Sequence, residues 1–102
     1  MNVQVLVSNE TSEYFQGDLV VLDQYMSEVL GSDGNGWEAQ ESVSYEETLD
    51  RTRSEKLTAK VYLQKNSTTE LFQAELGPDT KSDSVRIPVN ITNGPKVSFS
   101  LE

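Results

Sequence analysis

Residues 31–36 read Gly-Ser-Asp-Gly-Asn-Gly, a composition close to that of a helix-loop-helix calcium loop. Asp33 and Asn35 would stand at the third and fifth ligand positions and Gly36 at the turning glycine. The match stops there. Gly31 occupies the place of the first carboxylate, and Ser42 the place of the bidentate Glu. A calcium site of another design would draw on Asp33, Asn35 and Glu38, whose oxygens suit a hard cation. The competing reading, and the simpler one, is a Gly-rich turn, because Gly and Asn adopt positive φ at little cost. Trp37, the only Trp, follows directly. It reads as a core anchor, with a ring platform for a carbohydrate beside that loop as the alternative. No other cofactor is implied.

Catalytic constellations are scarce. The chain has no His and no Cys, which removes the commonest general base, the thiolate nucleophile, the disulfide frame and most zinc sites. Acidic pairs for glycoside hydrolysis exist on paper, but they need a cleft and two contrasting environments. Ser54 with Lys56 or Lys60 has no oxyanion loop nearby, and no Gly-Lys-Ser/Thr phosphate loop is present. The expectation is a protein that is not an enzyme. Asn-X-Ser/Thr triplets at Asn9, Asn66 and Asn90 read as turn and edge chemistry rather than glycan acceptors.

Charge carries more information than any motif. The formal net charge is −9, yet residues 1–50 hold eleven Asp and Glu and not one Lys or Arg. A half so acidic repels nucleic acid and anionic lipid, so neither is expected as a direct partner. Solubility is the plain reading. The sharper one is a docking face for the basic surface of a protein partner, with Glu38, Glu41, Glu46, Glu47 and Asp50 as its contacts. Tyr62, on a polar strand face among Thr58, Lys60 and Gln64, is a further contact candidate. A Lys60/Tyr62/Arg86 surface facing the acidic half of another copy would give head-to-tail self-assembly.

These residues must be positioned by strands. Alternation of apolar and polar residues runs through Val3, Val5 and Val7, through Leu57, Ala59, Val61 and Leu63, and through Phe72, Ala74 and Leu76. It returns in Val85, Ile87, Val89 and Ile91, and again in Val97, Phe99 and Leu101. Asn93-Gly94 is a strong hairpin turn signal. Pro88, lacking an N–H, places its strand at an edge or a bulge. Trp37 to Tyr45 reads as one strand with a polar slip. Leu22, Tyr25, Met26, Val29 and Leu30 fall at helical spacing ahead of Gly31, which predicts a short helix near residues 22–30. Residues 46–55, with Leu49 as their one apolar member, read as a solvated, mobile loop.

The composition, 35% hydrophobic and 25% charged over 102 residues, suits one folded domain. The expected architecture is mainly β, a single antiparallel β-sandwich domain of six to seven strands over residues 1–102 with that one short helix, and a small open β-barrel as the alternative. No signal peptide or transmembrane segment is read in the chain, and it is expected to be soluble. The functional expectation is a non-catalytic interaction or structural module, such as a viral or phage accessory or virion protein or an assembly subunit. The alternatives are an acidic inhibitor that mimics nucleic-acid phosphates against a basic enzyme, and a calcium- or carbohydrate-binding module.

Overall fold

The computed structural model describes residues 1–50, 56–77 and 83–102. They form eight strands: β1 (Asn2–Asn9), β2 (Phe15–Leu22), β3 (Glu28–Trp37), β4 (Ser42–Thr48), β5 (Leu57–Lys65), β6 (Thr68–Leu76), β7 (Ser84–Thr92) and β8 (Lys96–Phe99). One sheet has the order β4-β1-β7-β8 and the other β3-β2-β5-β6, packed face to face as a sandwich. Neighbouring strands are antiparallel except β1 and β7, which run parallel with Val3 beside Val85 and Val7 beside Val89.

The core follows from period two. Val3, Val5 and Val7 of β1, Ala59, Val61 and Leu63 of β5, and Val85, Ile87, Val89 and Ile91 of β7 all turn inward and are buried. Phe72, Val97 and Phe99, on strands nearer the rims, are partly buried against the same core. The β5–β6 and β7–β8 hairpins form as the turn residues predict, with Asn66 at φ 57° in the first of them.

The short helix does not form; residues 22–30 are the end of β2, a tight turn and the start of β3. Asp23 decides this. Its Oδ1 accepts the backbone N–H of Tyr25 and of Ser27, each at 2.9 Å, and its own N–H donates to the Ser27 carbonyl. Met26 takes φ 62°. Tyr25 and Met26 are left 78% and 59% exposed while Val29 and Leu30 are buried, so the helical stripe faces no common surface. So short a helix has little stability of its own, whereas the hairpin satisfies the same backbone groups against β2. The adjacent burial of Val29 and Leu30 comes from a bulge, since Val21 pairs Leu30 while Leu22 pairs Glu28.

The Gly-rich stretch is likewise strand rather than connecting turn. It lies inside β3, where Gly17 pairs Asn35 and Leu19 pairs Ser32, leaving one extra residue on the β3 side. Gly34 supplies φ 65° at this bulge, and its N–H donates to Asp18 Oδ1 at 2.9 Å. Trp37 ends β3, and the strand expected from Trp37 to Tyr45 is broken by a turn in which Gln40 has φ 62°.

Two further expectations change. Of the segment 46–55, Glu46, Glu47 and Thr48 belong to β4, and Leu49 is half-buried; residues 51–55 lie outside the described ones. Leu49 donates its N–H to the Met1 carbonyl at 2.7 Å, and its carbonyl accepts the Met1 ammonium at 2.8 Å. Pro88 is not at an edge, because β7 has β1 on one side and β8 with the C-terminal residues on the other. Ser100 N–H donates to the Pro88 carbonyl at 3.1 Å, and Arg86 and Glu102 exchange both backbone bonds beyond it. The ladder there has one bond where a residue with an N–H would make two.

Candidate functional site

Strand order converts the charge asymmetry of the chain into a spatial one. In the first sheet β4 and β1 lie on one side of β7 and β8; in the second β3 and β2 lie on one side of β5 and β6. The edges β3 and β4 approach each other, as do β6 and β8. The four strands from residues 1–50 therefore make one lateral half of the sandwich, and those after residue 56 make the other.

Ten of the eleven acids in the first half are exposed, and only Asp23 is buried, in its turn. Glu38 and Glu41 bracket the turn between the two edge strands, Glu46 and Glu47 lie on β4, and Asp50 follows it. Glu46 accepts a hydrogen bond from Asn2 Nδ2 at 3.0 Å. In the second half opposite charges offset each other, with Lys56 at 3.0 Å from Glu75 and Arg86 at 3.6 Å from Glu102.

The structure does not bring all the expected contacts together. Tyr62 stands on the outer face of β5, in the other sheet and the other half from β4, so it shares no surface with Glu46 and Glu47. Lys60 and Tyr62 face outward from one sheet and Arg86 from the other. The Lys60/Tyr62/Arg86 surface is therefore not assembled.

For the cation reading, Asp33 is exposed at the β3 bulge and Glu38 lies beyond the strand end. Asn35 is committed elsewhere. Its Nδ2 donates to the Gly17 and Ser32 carbonyls, and its Oδ1 accepts from Ser32 Oγ and from the Tyr45 hydroxyl. Asn35 is thus a bulge-holding residue, and no group of three or more Asp or Glu suited to a metal forms among the described residues.

Trp37 is 1% exposed, which makes it a core anchor and not a carbohydrate platform. Its Nε1–H donates to the Tyr45 hydroxyl at 2.8 Å, and that hydroxyl donates onward to Asn35. Burial pushes the Tyr45 phenol above its ordinary value of 10.0, with the Trp37 N–H opposing the shift. A raised phenol pKa leaves stability intact below the unfolded value and removes it as pH climbs through the folded one, because the unfolded chain ionises first. Tyr45→Phe is expected to lose less stability than the parent between about pH 9 and pH 11, as urea midpoints at each pH would show.

Asn9, read as a turn residue, is 2% exposed and holds the β1–β2 loop. Its Nδ2 donates to the Glu13 and Trp37 carbonyls, and its Oδ1 accepts the N–H and hydroxyl of Thr11. A surface that motif reading missed lies on the outer face of β2 and β5, where Gln16 sits opposite Gln64 and Asp18 opposite Tyr62. The available signal was the set of outward positions in two interior strands, which stays hidden until those strands are known to be neighbours.

Comparison with models of protein families and with curated proteins returns no match for this chain. Among the described residues no helix is long and apolar enough to cross a membrane.

Proposed function

We propose that the protein is a non-catalytic interaction module whose acidic β3–β4 flank docks on a basic surface of a protein partner. One observation carries the reading: strand order gathers a half-chain without a single Lys or Arg into one side of the sandwich. Charges of one sign on one face add their fields, which steers an oppositely charged partner toward that face and disfavours nucleic acid. The lack of His and Cys supports the non-catalytic part.

Decalysine is a suitable probe. Its association rate should fall about ten-fold or more between ~10 mM and ~300 mM salt, as the screening length shrinks. Joint replacement Glu38→Gln, Glu41→Gln, Glu46→Gln and Glu47→Gln should abolish most of the binding. Removing the same number of charges as Glu70→Gln, Glu75→Gln, Asp83→Asn and Glu102→Gln should leave most of it. Equal loss in the two variants would show that net charge alone acts, and the flank would then serve solubility.

A further inference from the structure

Beyond the acidic flank, the outer face of the β3-β2-β5-β6 sheet offers a second concave surface. Two depressions there, of about 440 and 210 Å3, both take Gln16 and Gln64 into their walls. The geometry points to a binding site for a neutral oligosaccharide along this face, an inference independent of the flank and its partner.

The chemistry of this face argues for that ligand class. Tyr14, Gln16 and Asp18 alternate outward from the β2 segment, and Tyr62 and Gln64 do so from β5. Gln16 faces Gln64 across the strand pair, so two planar amides, each able to donate and accept, stand about 5 Å apart at their bases. Sugar hydroxyls, which also donate and accept, match such groups. Tyrosine rings mark the two ends: Tyr14, 50% exposed, lies over Gly36, and Tyr62 lines the smaller depression with Asp18 and Gly34. Rings of this kind offer apolar contact to the C–H faces of a sugar while the amides hold its hydroxyls.

Glycine shapes the floor. Gly34, which lines the smaller depression, adds no side chain there, and a Cβ on Gly36 would run into the Tyr14 ring. Charge selects for a neutral molecule. Lys65 is the one cation among the described residues lining the two depressions, and it lies 3.7 Å from Glu13. Within these two depressions a phosphate or carboxylate would meet Asp18, with only the Glu13-paired Lys65 to receive it, while Lys60 stands further along β5 in a separate depression.

A peptide strand fits less well, because added strands need an unpaired edge. The backbones of β2 and β5 are hydrogen-bonded on both sides.

The test is a titration of the isotopically labelled chain with cellohexaose, maltohexaose, xylohexaose and mannohexaose, followed by amide and side-chain NH2 resonances. At least one of them should shift Gln16 and Gln64 together with residues 14–18, 34–36 and 62–69, and leave the β4 resonances in place. Tyr14→Ala and Gln64→Ala, both at exposed positions, should each weaken that binding roughly five- to ten-fold, with Trp37 emission unchanged as the check on folding. Absence of shifts with all of these sugars, shifts confined to other surfaces, or the same shifts from decalysine alone would overturn the inference.

Discussion

Val61→Asp is expected to leave the chain largely unfolded at 25 °C. Val61 is fully buried in β5, flanked in register by Leu19 on β2 and Phe72 on β6. Its inward neighbours are the aliphatic residues of both sheets. An aspartate there has no cation to meet and no water to solvate it, so it must either ionise at great cost or take up a proton and still lack hydrogen-bond partners. The expected loss exceeds about 4 kcal/mol, a large share of the roughly 5–15 kcal/mol that a domain of this size commands. Val61→Ala separates charge from cavity, since it removes two carbons and should cost about 2 kcal/mol. Urea titrations followed by Trp37 emission and far-ultraviolet circular dichroism measure both variants. A Val61→Asp protein that melts within a kcal/mol of the Val61→Ala protein would show that the strand is displaced or hydrated at that point.

Trp37→Ala should be nearly as damaging, for a different reason. The indole is the largest fully buried side chain, and it fills the end of the sandwich where β3 turns over into β4. Gly17 exists to make room for it: a Cβ at that position would strike both the Trp37 ring and the Tyr62 carbonyl. Deleting the ring leaves a cavity that such a tight backbone cannot close, and truncations of this size cost about 3–5 kcal/mol. It also takes away the donor that Tyr45 accepts, though Tyr45 keeps its bond to Asn35. Trp37→Phe should recover most of the packing and lose only about 1–2 kcal/mol. Equal destabilisation by Ala and Phe would place the weight on the indole N–H rather than on volume. Circular dichroism melts are the appropriate measure, because both changes remove the fluorophore.

The strands of the second half were legible because their information is local. Alternation from Leu57 to Leu63 states which side chains share a face, and Asn66 and Asn93-Gly94 state where the chain reverses. Both signals survive any arrangement of the other strands. The region from Leu22 to Gly36 misled for the complementary reason. Helical spacing of five apolar residues and a hairpin with two bulges are nearly the same string of letters. The choice between them rests on Asp23 reaching the N–H groups of Tyr25 and Ser27, and on β2 lying beside β3 to receive the hydrogen bonds. Pro88 was misplaced similarly, since its carbonyl still takes the Ser100 N–H and the one bond it forgoes lies at the exposed Ser100 near the end of the described strand pairing.

The sequence by itself determined that the chain makes strands with an aliphatic inner face, and that its first fifty residues carry no positive charge. It also determined that His and Cys chemistry is closed to it. Only the tertiary structure decided where those properties lie in space. The parallel pairing of β1 with β7 joins residues some eighty positions apart, and the pairing of β2 with β5 sets Gln16 across from Gln64. Such neighbours are chosen by the sum of core packing and ladder hydrogen bonds over the whole sandwich, which no local pattern encodes. The same global choice places the four strands of the half without Lys or Arg on one side, so that a bias along the chain becomes a side of the molecule.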